Sequence, residues 1–534
     1  MTKQDTELHK RVSQQRTFAI ISHPDAGKTT ITEKILLFGG AIQMAGTVKS
    51  RKSARYATSD WMEIEKQRGI SVTSSVMTFV HQGYNITLLD TPGHQDFSED
   101  TYRVLTAVDS ALMLIDGAKG VEAQTKKLLE VCRMRQTPVM TFMNKFDRQC
   151  RSPFELMDEV ESVLGIECSP ITWPIGMGSD FKGVYHLLSK QIRLFAKDGN
   201  HKEFKTIHVS GPQDPQIDAL AGPSWAAQFR DEMELIEGAG NPFSHKDYLD
   251  GQLTPVFFGS AMNSFGVQEF LNSFLEYAPS PRPRAAQERV VAPDEKKLTG
   301  FIFKVQANMD PSHRDRIAFL KICSGQFTKG MKVHHVRLGR SLKLANVMGF
   351  LAQGRESMDE AFPGEIVGLY DTGLLKIGDS FSEGETLHFT GIPHFSPEHF
   401  MKVRLSNPLK SKQLEKGLKQ LTEEGATQMF KLKTGGGLVL GVVGILQFEV
   451  IKFRLEFEYS VEGVFEPASY QLARWYHAED PQTLRDFESR YAAQVAFDVD
   501  EQSIFLCNSD WDLEYAKQKF KGLEFYQNSD HIPI

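Results

Sequence analysis

The sequence predicts a multidomain protein: an α/β domain with a phosphate-binding loop, then a β-barrel domain, then an α+β domain. Strand-like and helix-like segments alternate over the first part of the chain, which is typical of an α/β domain. From residue 298 the pattern changes to short alternating runs separated by glycine turns, which favours a barrel. Strands and helices mix from about residue 395, and 534 residues are enough for about three domains.

The predicted phosphate-binding loop joins a strand-like run at residues 18–21 to a helix-like segment. Backbone N–H groups in such a loop point at a polyphosphate, and we expect Lys28 to contact the β- and γ-phosphates and Thr29 to bind Mg²⁺. Ser22 stands where the usual pattern has its first glycine, so the alternative is an ordinary helix start with Gly-Lys-Thr. The predicted phosphate-binding residues are Ser22, His23, Pro24, Asp25, Ala26, Gly27, Lys28, Thr29 and Thr30.

Three further motifs follow strand-like runs, in the order and at the distances that a GTPase requires. Ligands of open α/β sheets bind outside the carboxyl ends of the strands, so we expect these motifs to share one site with the loop. A chance occurrence of the whole set in this order is negligible. The motifs are Asp90-Thr-Pro-Gly93 after residues 86–89, Asn144-Lys-Phe-Asp147 after 138–143, and Ser260-Ala261 after 254–258.

The second of these motifs predicts that the base is guanine. The Asp147 carboxylate can accept two N–H bonds from the guanine ring, which adenine cannot supply. We expect Asn144 to bond the base edge and the stem of Lys145 to lie over the ring. The Ala261 N–H, next to Ser260, is predicted to reach the guanine oxygen. A site built for such hydrogen bonds rejects an analogue that lacks them by a factor of about 10⁴.

Asp90 and Gly93 are predicted to respond to the γ-phosphate. We expect Asp90 to hold the Mg²⁺ shell, and the Gly93 N–H to bond a γ-phosphate oxygen only when that phosphate is present. A plain turn at Asp90 is the alternative. The predicted cofactors are therefore GTP or GDP and Mg²⁺.

Two segments closely resemble the switch segments of the translational GTPases. They are residues 60–75 and 90–97, and residues 116–125 resemble the same family. The resemblance implies that Ser71, where relatives usually carry Thr, closes onto Mg²⁺ when GTP is bound. It also implies that His94 is the catalytic residue, which orients the attacking water. A surface histidine after a turn is the alternative interpretation of this position.

The same resemblance implies a hydrophobic gate beside His94. In relatives, two apolar side chains keep this histidine away from the water until the ribosome moves it. The matching positions here are Pro24 and Ile70. Proline at the first position departs from the family's pattern.

Length and one proline-rich stretch predict the domain boundaries. We expect a GTPase domain over residues 1–285, a β-barrel domain over 298–388 and an α+β domain over 395–534. The interval from Asp147 to Ser260 is longer than one helix and one strand require, so we expect an insertion at about 197–249. The proline-rich residues 278–284 cannot continue the preceding helix and mark the first boundary.

The composition is typical of a cytoplasmic globular protein, with 41% hydrophobic and 24% charged residues. The five cysteines show no metal-ligand spacing, and we expect reduced, largely buried thiols. The longest apolar stretch, residues 437–448, is too short to span a bilayer. We therefore expect a monomer in the cytoplasm, with neither a membrane nor DNA as a partner.

The charge distribution leaves one candidate surface for RNA. A net charge of −7 argues against a broadly basic coat. Residues 401–433 nevertheless contain eight Lys and Arg against three acids, a local net of +5 (8 − 3). A solvated helix face is the alternative, because a helix predicted over 411–424 would carry many of these charges and bury Leu414, Leu418 and Leu421.

Over its whole length the chain resembles the bacterial class II peptide chain release factors, the release factor 3 family. Residues 324–330 and 362–368 are similar to the elongation factor Tu-like second domain of translational GTPases, and residues 441–453 to the third domain of elongation factor G. The resemblance implies a ribosome-stimulated GTPase of translation termination. Such a factor promotes dissociation and recycling of class I release factors after peptide release. Its implied partners are the ribosome, through ribosomal RNA and proteins, and functionally the class I factors.

Two other classes of protein are alternatives. An elongation- or translocation-type ribosomal GTPase shares the first domains. Only about 85 residues (534 − 449) follow Glu449, however, which is too few for the C-terminal arm of a translocase. The other class is a non-ribosomal regulatory GTPase, and both His94 and the barrel domain argue against it.

Overall fold

The computed structural model describes residues 3–42, 65, 71–195, 204–307, 316–352, 354–435 and 437–528. Three regions follow one another along the chain: an α/β region, a β-barrel region and an α+β region. This architecture confirms the fold class that the sequence predicts.

The first region alternates strands with helices. Its strands are β1 (Gln15–Ser22), β2 (Ser75–His81), β3 (Tyr84–Asp90), β4 (Ser110–Asp116), β5 (Val139–Asn144), β6 (Glu167–Pro170), β7 (Thr172–Ile175), β8 (Gly183–His186), β9 (Gln191–Phe195), β10 (Phe204–His208) and β11 (Leu253–Phe258). Its described α-helices are α1 (Lys3–Ser13), α2 (Lys28–Phe38), α3 (Ser98–Ala107), α4 (Ala123–Met134), α5 (Pro153–Glu159), α6 (Gln216–Ala221), α7 (Pro223–Ala239), α8 (His245–Leu249) and α9 (Val267–Tyr277).

The main sheet of the first region has the strand order β2-β3-β1-β4-β5-β11-β6. Strand β1 pairs in parallel with β3 and β4, and β5 pairs in parallel with β4 and β11, whereas β2 is antiparallel to β3. The strands fill two hydrophobic cores: Leu89 and Met113 belong to one, Phe18 and Leu112 to the other. Because β1, β3, β5 and β11 point the same way, their carboxyl ends meet at one edge of the sheet.

A smaller antiparallel sheet, with the order β10-β9-β8-β7, adjoins the main sheet. Helix α7 covers it: Phe229 lies edge-on to Tyr185, with ring centroids 5.1 Å apart, and Trp173 Nε1 donates to Glu232 Oε2 at 2.7 Å. The interval 197–249 includes β10 and α6 to α8, whereas the small sheet begins at β7. That this interval is an insertion stays a prediction.

The described part of the second region is built from β-strands of different lengths. They are β12 (Arg284–Ala285), β13 (Val290–Val291), β14 (Thr299–Ala307), β15 (Arg316–Ser324), β16 (Phe327–Thr328), β17 (Lys332–His335), β18 (Arg340–Lys343), β19 (Val347–Leu351), β20 (Gly354–Ser357), β21 (Glu360–Ala361), β22 (Ile366–Tyr370) and β23 (Ser380–Ser382).

Antiparallel pairing arranges most strands of the second region in the order β18-β17-β23-β14-β15-β22-β19. Ile302, Phe327 and Phe381 lie in the core that these strands enclose. One residue pair, Leu351 of β19 with Thr78 of β2, joins the barrel to the main sheet of the first region.

The third region is a mixed layer of helices and one sheet. Its strands are β24 (His399–Leu405), β25 (Gln428–Leu432), β26 (Leu438–Val442), β27 (Gly463–Pro467), β28 (Leu472–His477), β29 (Val495–Phe497), β30 (Ser503–Cys507) and β31 (Glu524–Tyr526). Its helices are α10 (Ser411–Glu423), α11 (Leu446–Tyr459), α12 (Pro481–Arg490) and α13 (Asp510–Lys519). Among the described residues, no helix is both long and apolar enough to cross a membrane.

All five cysteines are free thiols, and four of them are buried while Cys150 is half-buried. Burial raises the pKa of Cys132 and of Cys323 to about 12. These two thiols therefore stay protonated at neutral pH, which makes them poor nucleophiles.

A buried ion pair joins the first region to the barrel. Lys321 Nζ lies 3.0 Å from Asp109 Oδ2, and the two side chains are 2% and 1% exposed. Arg284 NH2 contacts the other oxygen of Asp109 at 2.7 Å. Burial alone would raise the pKa of Asp109, but Lys321 and Arg284 outweigh it and lower that pKa. The Asp109 carboxylate is therefore held ionised in the interface.

Candidate functional site

The loop between β1 and α2 has a backbone that requires glycine at one position. Gly27 has φ 103° and precedes the first residue of α2, and as a glycine it has no side chain to cap this helix N-terminus. A Cβ atom on Gly27 would lie 2.5 Å from Asn144 Nδ2, so a larger residue would displace the neighbouring motif. The first N–H groups of α2 are therefore directed into the loop, as anion binding at a helix N-terminus requires.

Lys28 and Asp90 form a short ion pair at the centre of the site. Lys28 Nζ lies 2.5 Å from Asp90 Oδ1, and the side chains are 7% and 1% exposed. The second oxygen, Asp90 Oδ2, is buried and has no hydrogen-bond partner among the described residues, and the same is true of Ser22 Oγ. A buried carboxylate oxygen without a partner fits a bound cation, and these residues therefore fit Mg²⁺.

Gly93 lies directly against the loop. A Cβ atom on Gly93 would lie 3.5 Å from Pro24 Cα, so this glycine packs face to face with the loop backbone. Thr29 and Ser71, the other predicted Mg²⁺ ligands, are half-buried. Of the predicted hydrophobic gate, Pro24 is described and half-buried, whereas Ile70 lies outside the described residues.

Asn144 ties two motifs together. Its Nδ2 donates to the Ala26 carbonyl at 2.7 Å, and its Oδ1 accepts the Ala261 N–H at 2.8 Å. Ser260, before Ala261, is buried. The Ala261 N–H is thus used within the protein in this structure, and a bond to a guanine oxygen requires it to change partner.

Lys145 spans from the loop to the end of β4. Its Nζ donates to the Asp25 carbonyl at 2.6 Å and to Asp116 Oδ2 at 2.7 Å. Burial alone would raise the pKa of Asp116, but the hydrogen bond from Lys145 and those from backbone N–H groups lower it. Asp116 was not among the predicted site residues, although it begins the segment 116–125 that resembles the translational GTPases.

Asp147 is the half-buried acid of the same motif. Its side chain is 18% exposed, and Arg148 Nε lies 4.0 Å from Asp147 Oδ2. This separation exceeds hydrogen-bond distance, so the carboxylate keeps acceptor capacity for a ligand.

His94 follows Gly93 and precedes a 3₁₀ turn at Gln95–Phe97. Its ring is 34% exposed. The Asp96 N–H donates to His94 Nδ1 at 3.2 Å, and Asp96 Oδ1 also lies 3.2 Å from this nitrogen. A ring nitrogen that accepts the Asp96 N–H has no proton to share with the carboxylate, so the two contacts cannot both be hydrogen bonds at once. Both lie on the Nδ1 side of the ring, so Nε2 is the ring nitrogen that we expect to face a substrate.

Helix α3, which follows His94, is held by both other regions. From the barrel, Lys304 Nζ donates to Asp100 Oδ2 at 3.0 Å and to the Ser74 carbonyl at 2.8 Å. From the third region, the Gly425 carbonyl accepts from Arg103 NH1 at 3.2 Å. None of these residues was predicted from the sequence. The sequence does place Lys304 within an apolar, strand-like run, and a lysine at such a position is usually paired with an acid.

Glu65 is a further residue to which the sequence assigned no role. Its side chain is buried, and Oε1 accepts the N–H groups of Val72 at 2.9 Å and Thr73 at 3.0 Å. These bonds fix the backbone just after Ser71, so they position one of the predicted Mg²⁺ ligands.

Comparisons with known proteins divide the chain in the same order as the structure. Residues 13–280 match the family model of the elongation factor Tu GTP binding domain. Residues 297–384 match elongation factor G domain 2, and residues 389–517 match the C-terminal domain of class II release factor RF3. A match to a GTP binding domain over half of the chain shows that it binds GTP or GDP.

Among solved structures, the chain is similar to a crystal structure of a protein from Thermus thermophilus. The TM-score is 0.71 at 22% sequence identity, and the match covers 88% of this chain and 71% of that one. At this identity the likeness shows the fold alone.

Proposed function

Because this chain belongs to the class II release factors of the translational GTPase family, we propose that it is a ribosome-stimulated GTPase of translation termination. It promotes dissociation and recycling of class I release factors after peptide release. The proposal rests on two matches that occur in the same chain. Residues 13–280 match a GTP binding domain, and residues 389–517 match a class II release factor domain. A ribosomal partner implies action in the cytoplasm, and we propose that the protein acts as a monomer.

The proposed reaction is the hydrolysis of GTP to GDP and phosphate. His94 orients the attacking water through Nε2, the ring nitrogen on the side away from Asp96. The loop N–H groups and Lys28 bind the β- and γ-phosphates, so Lys28 exchanges its contact with Asp90 for one with the substrate. Thr29, Ser71 and Asp90 would hold Mg²⁺, which neutralises charge on the phosphates.

The proposed switch responds to the γ-phosphate. GTP can drive a conformational step only through different affinities for two states. In one state the Gly93 N–H would contact the γ-phosphate, and the Ser71 hydroxyl would contact Mg²⁺. Both contacts would be released after hydrolysis. The position of Gly93 supports this role, because its backbone lies beside Pro24 and Lys28, two of the residues predicted to bind the phosphates.

The proposed base specificity rests on the motif after β5. Asp147 accepts N–H groups of guanine, and the Lys145 stem lies beside the base while its Nζ holds the loop. Asn144 connects the phosphate-binding loop to the residues predicted to bind the base, because its side chain hydrogen-bonds the backbone of both Ala26 and Ala261.

The proposal is tested first by GTP hydrolysis with and without ribosomes. We expect ribosomes to accelerate hydrolysis, and we expect the protein to sediment with ribosomes when a non-hydrolysable GTP analogue is present. Failure of both assays would favour the non-ribosomal GTPase. A polypeptide elongation assay separates the other alternative, because stimulation of elongation would identify a translocation-type factor.

A further inference from the structure

The turn between β26 and α11 in the third region contacts Asp96, the residue two positions after His94. We propose that Asp96 is a positioning residue through which the third region sets the orientation of His94 for GTP hydrolysis. This inference rests on the proposed function, since it assigns a role in the same reaction.

The two oxygens of the Asp96 carboxylate lie close to groups of two different regions. Oδ1 lies 3.2 Å from His94 Nδ1, and Oδ2 accepts the Leu446 N–H at 2.8 Å. The side chain is 12% exposed, so water has little access to replace either contact. Asp96 therefore links the imidazole, which accepts its backbone N–H at 3.2 Å, to the backbone of another region.

The turn lies directly against Asp96. A Cβ atom on Gly444 would lie 2.3 Å from both Cα and Cβ of Asp96, so the two backbones are in direct contact. Gln447 Oε1 fixes the turn itself, because it accepts the N–H groups of Val443 at 3.0 Å and Gly444 at 2.8 Å.

An apolar cluster packs between the first and third regions beside Asp96. Phe97, next to Asp96, packs with Val450 of α11 and with Val72, which lies just after the predicted Mg²⁺ ligand Ser71. Interfaces packed in this way move as units and not by continuous deformation. A shift of the third region would therefore carry Asp96 with it and change the contacts that Asp96 makes with His94 Nδ1.

The effect on catalysis follows from geometry. A group that positions the attacking water must be held closely, and a misplacement of about 1 Å can cost about 10²-fold in rate. The guanine and phosphate contacts lie on other side chains, so nucleotide affinity does not depend on Asp96. Asp96 therefore acts on kcat and not on KM.

The variants are Asp96→Asn, Gly444→Ala and Asp96→Asn combined with His94→Ala. Asp96→Asn keeps an oxygen for Leu446 but removes the charge beside His94, and Gly444→Ala pushes the turn against Asp96. Control variants are Asp359→Asn, whose side chain is 82% exposed, and Gly238→Ala, where a Cβ atom meets nothing within 4 Å.

The measurement is single-turnover GTP hydrolysis, with and without ribosomes, together with GTP and GDP affinities. We expect Asp96→Asn and Gly444→Ala to lower the hydrolysis rate about 10-fold to 10²-fold with unchanged affinities. Combined with His94→Ala, Asp96→Asn should add no further loss, because it acts through the imidazole.

Wild-type rates in both variants, or an Asp96→Asn loss that multiplies that of His94→Ala, would overturn the inference. Weakened nucleotide binding as the main effect would also overturn it. If ribosomes fail to stimulate the wild type, the proposed function fails instead, and the intrinsic hydrolysis rates of the same variants still decide the role of Asp96.

Discussion

At the scale of single residues, the site is built from side chains that each serve two motifs. Asn144 bonds the backbone before α2 and the backbone after β11, and Lys145 bonds the loop carbonyl of Asp25 and the Asp116 carboxylate. Such linked hydrogen bonds fix the loop before a ligand arrives. Loss of one linking side chain therefore affects both the phosphate side and the base side of the site.

Removal of the His94 imidazole separates chemistry from binding. We expect His94→Ala to retain GTP affinity and to lose about 10²- to 10⁴-fold in ribosome-stimulated hydrolysis, because the phosphate and guanine contacts do not use this ring. Rapid-quench hydrolysis and equilibrium binding of a fluorescent GTP analogue measure the two quantities. Hydrolysis near the wild-type rate would remove His94 from the mechanism.

Exchange of the Asp147 carboxylate tests base recognition. Asp147→Asn should weaken GTP and favour xanthosine triphosphate, since the amide offers a donor to the extra ring carbonyl. Competition binding with the two nucleotides measures the change. Arg148→Gln, at the exposed neighbouring side chain, is the control and should leave the preference for guanine intact. Unchanged GTP affinity in Asp147→Asn would show that the base binds elsewhere.

The site motifs could be predicted because each is a short run with fixed spacing at the end of a strand. The links between them could not, because they depend on which strands become neighbours. Lys145 can bond Asp116 because β4 and β5 are adjacent in the sheet. The bond between the Leu446 N–H and Asp96 joins two regions that are far apart in sequence.

At the scale of elements, the long strands and α10 agree with the sequence pattern, whereas the small sheet was not foreseen. Strands such as β1 and β14 are buried along their whole length, and the helical spacing of Leu414, Leu418 and Leu421 places these residues on the buried face of α10. Strand β7 has four residues and contains Pro174, which weakens any strand signal, and burial of Trp173 is decided by tertiary packing.

The outer face of α10 is the part of the basic segment that best fits RNA. Lys412, Lys416 and Lys419 are exposed on the helix opposite its leucines. In contrast, Arg404 lies 3.2 Å from Glu466, and Lys433 lies 2.5 Å from Glu488. The three α10 lysines are therefore the group to neutralise.

Neutralising the α10 lysines tests whether this face contacts ribosomal RNA. The triple change of Lys412, Lys416 and Lys419 to Gln should weaken ribosome binding and flatten the slope of log affinity against log salt. The slope should fall by a little under about one unit for each phosphate group that the variant no longer neutralises. GTP affinity in free solution should not change, because the nucleotide site lies in the first region.

A matched control for this experiment lies at the other end of the third region. The lysines at positions 517, 519 and 521 are also exposed, and their change to Gln removes the same charge. An unaltered salt slope in the α10 variant, or an equal change in the control, would show that α10 presents only a solvated face.

At the scale of the whole molecule, charged side chains buried between regions hold the three parts together. Arg454 of α11 contacts Glu424 at 2.6 Å, and Glu424 in turn accepts the Ala307 N–H of the barrel at 3.0 Å. Burial raises the pKa of Glu424, although Arg454 opposes this effect. Removal of one member of such a pair leaves the other charge buried and uncompensated, so these contacts stabilise the interfaces between the regions.

The contribution of one such buried pair, Lys321 with Asp109, to the free energy of unfolding can be measured. Lys321→Met should lower the free energy of unfolding by about 3 kcal/mol, near the lower end for a broken buried pair because Arg284 still contacts Asp109. Lys329→Met, whose exposed lysine pairs with Asp359, should cost less than about 1 kcal/mol. Urea denaturation measures both, and equal costs would contradict the structural role of the buried pair.

Recycling of a class I release factor tests the central claim most directly. Termination complexes that have already released their peptide are prepared with a labelled class I factor, and its dissociation is followed with this protein and GTP. We predict faster dissociation with GTP than with GDP, and no acceleration by an Asp147→Asn variant unless xanthosine triphosphate replaces GTP. Dissociation at the same rate with and without the protein would contradict its assignment to translation termination.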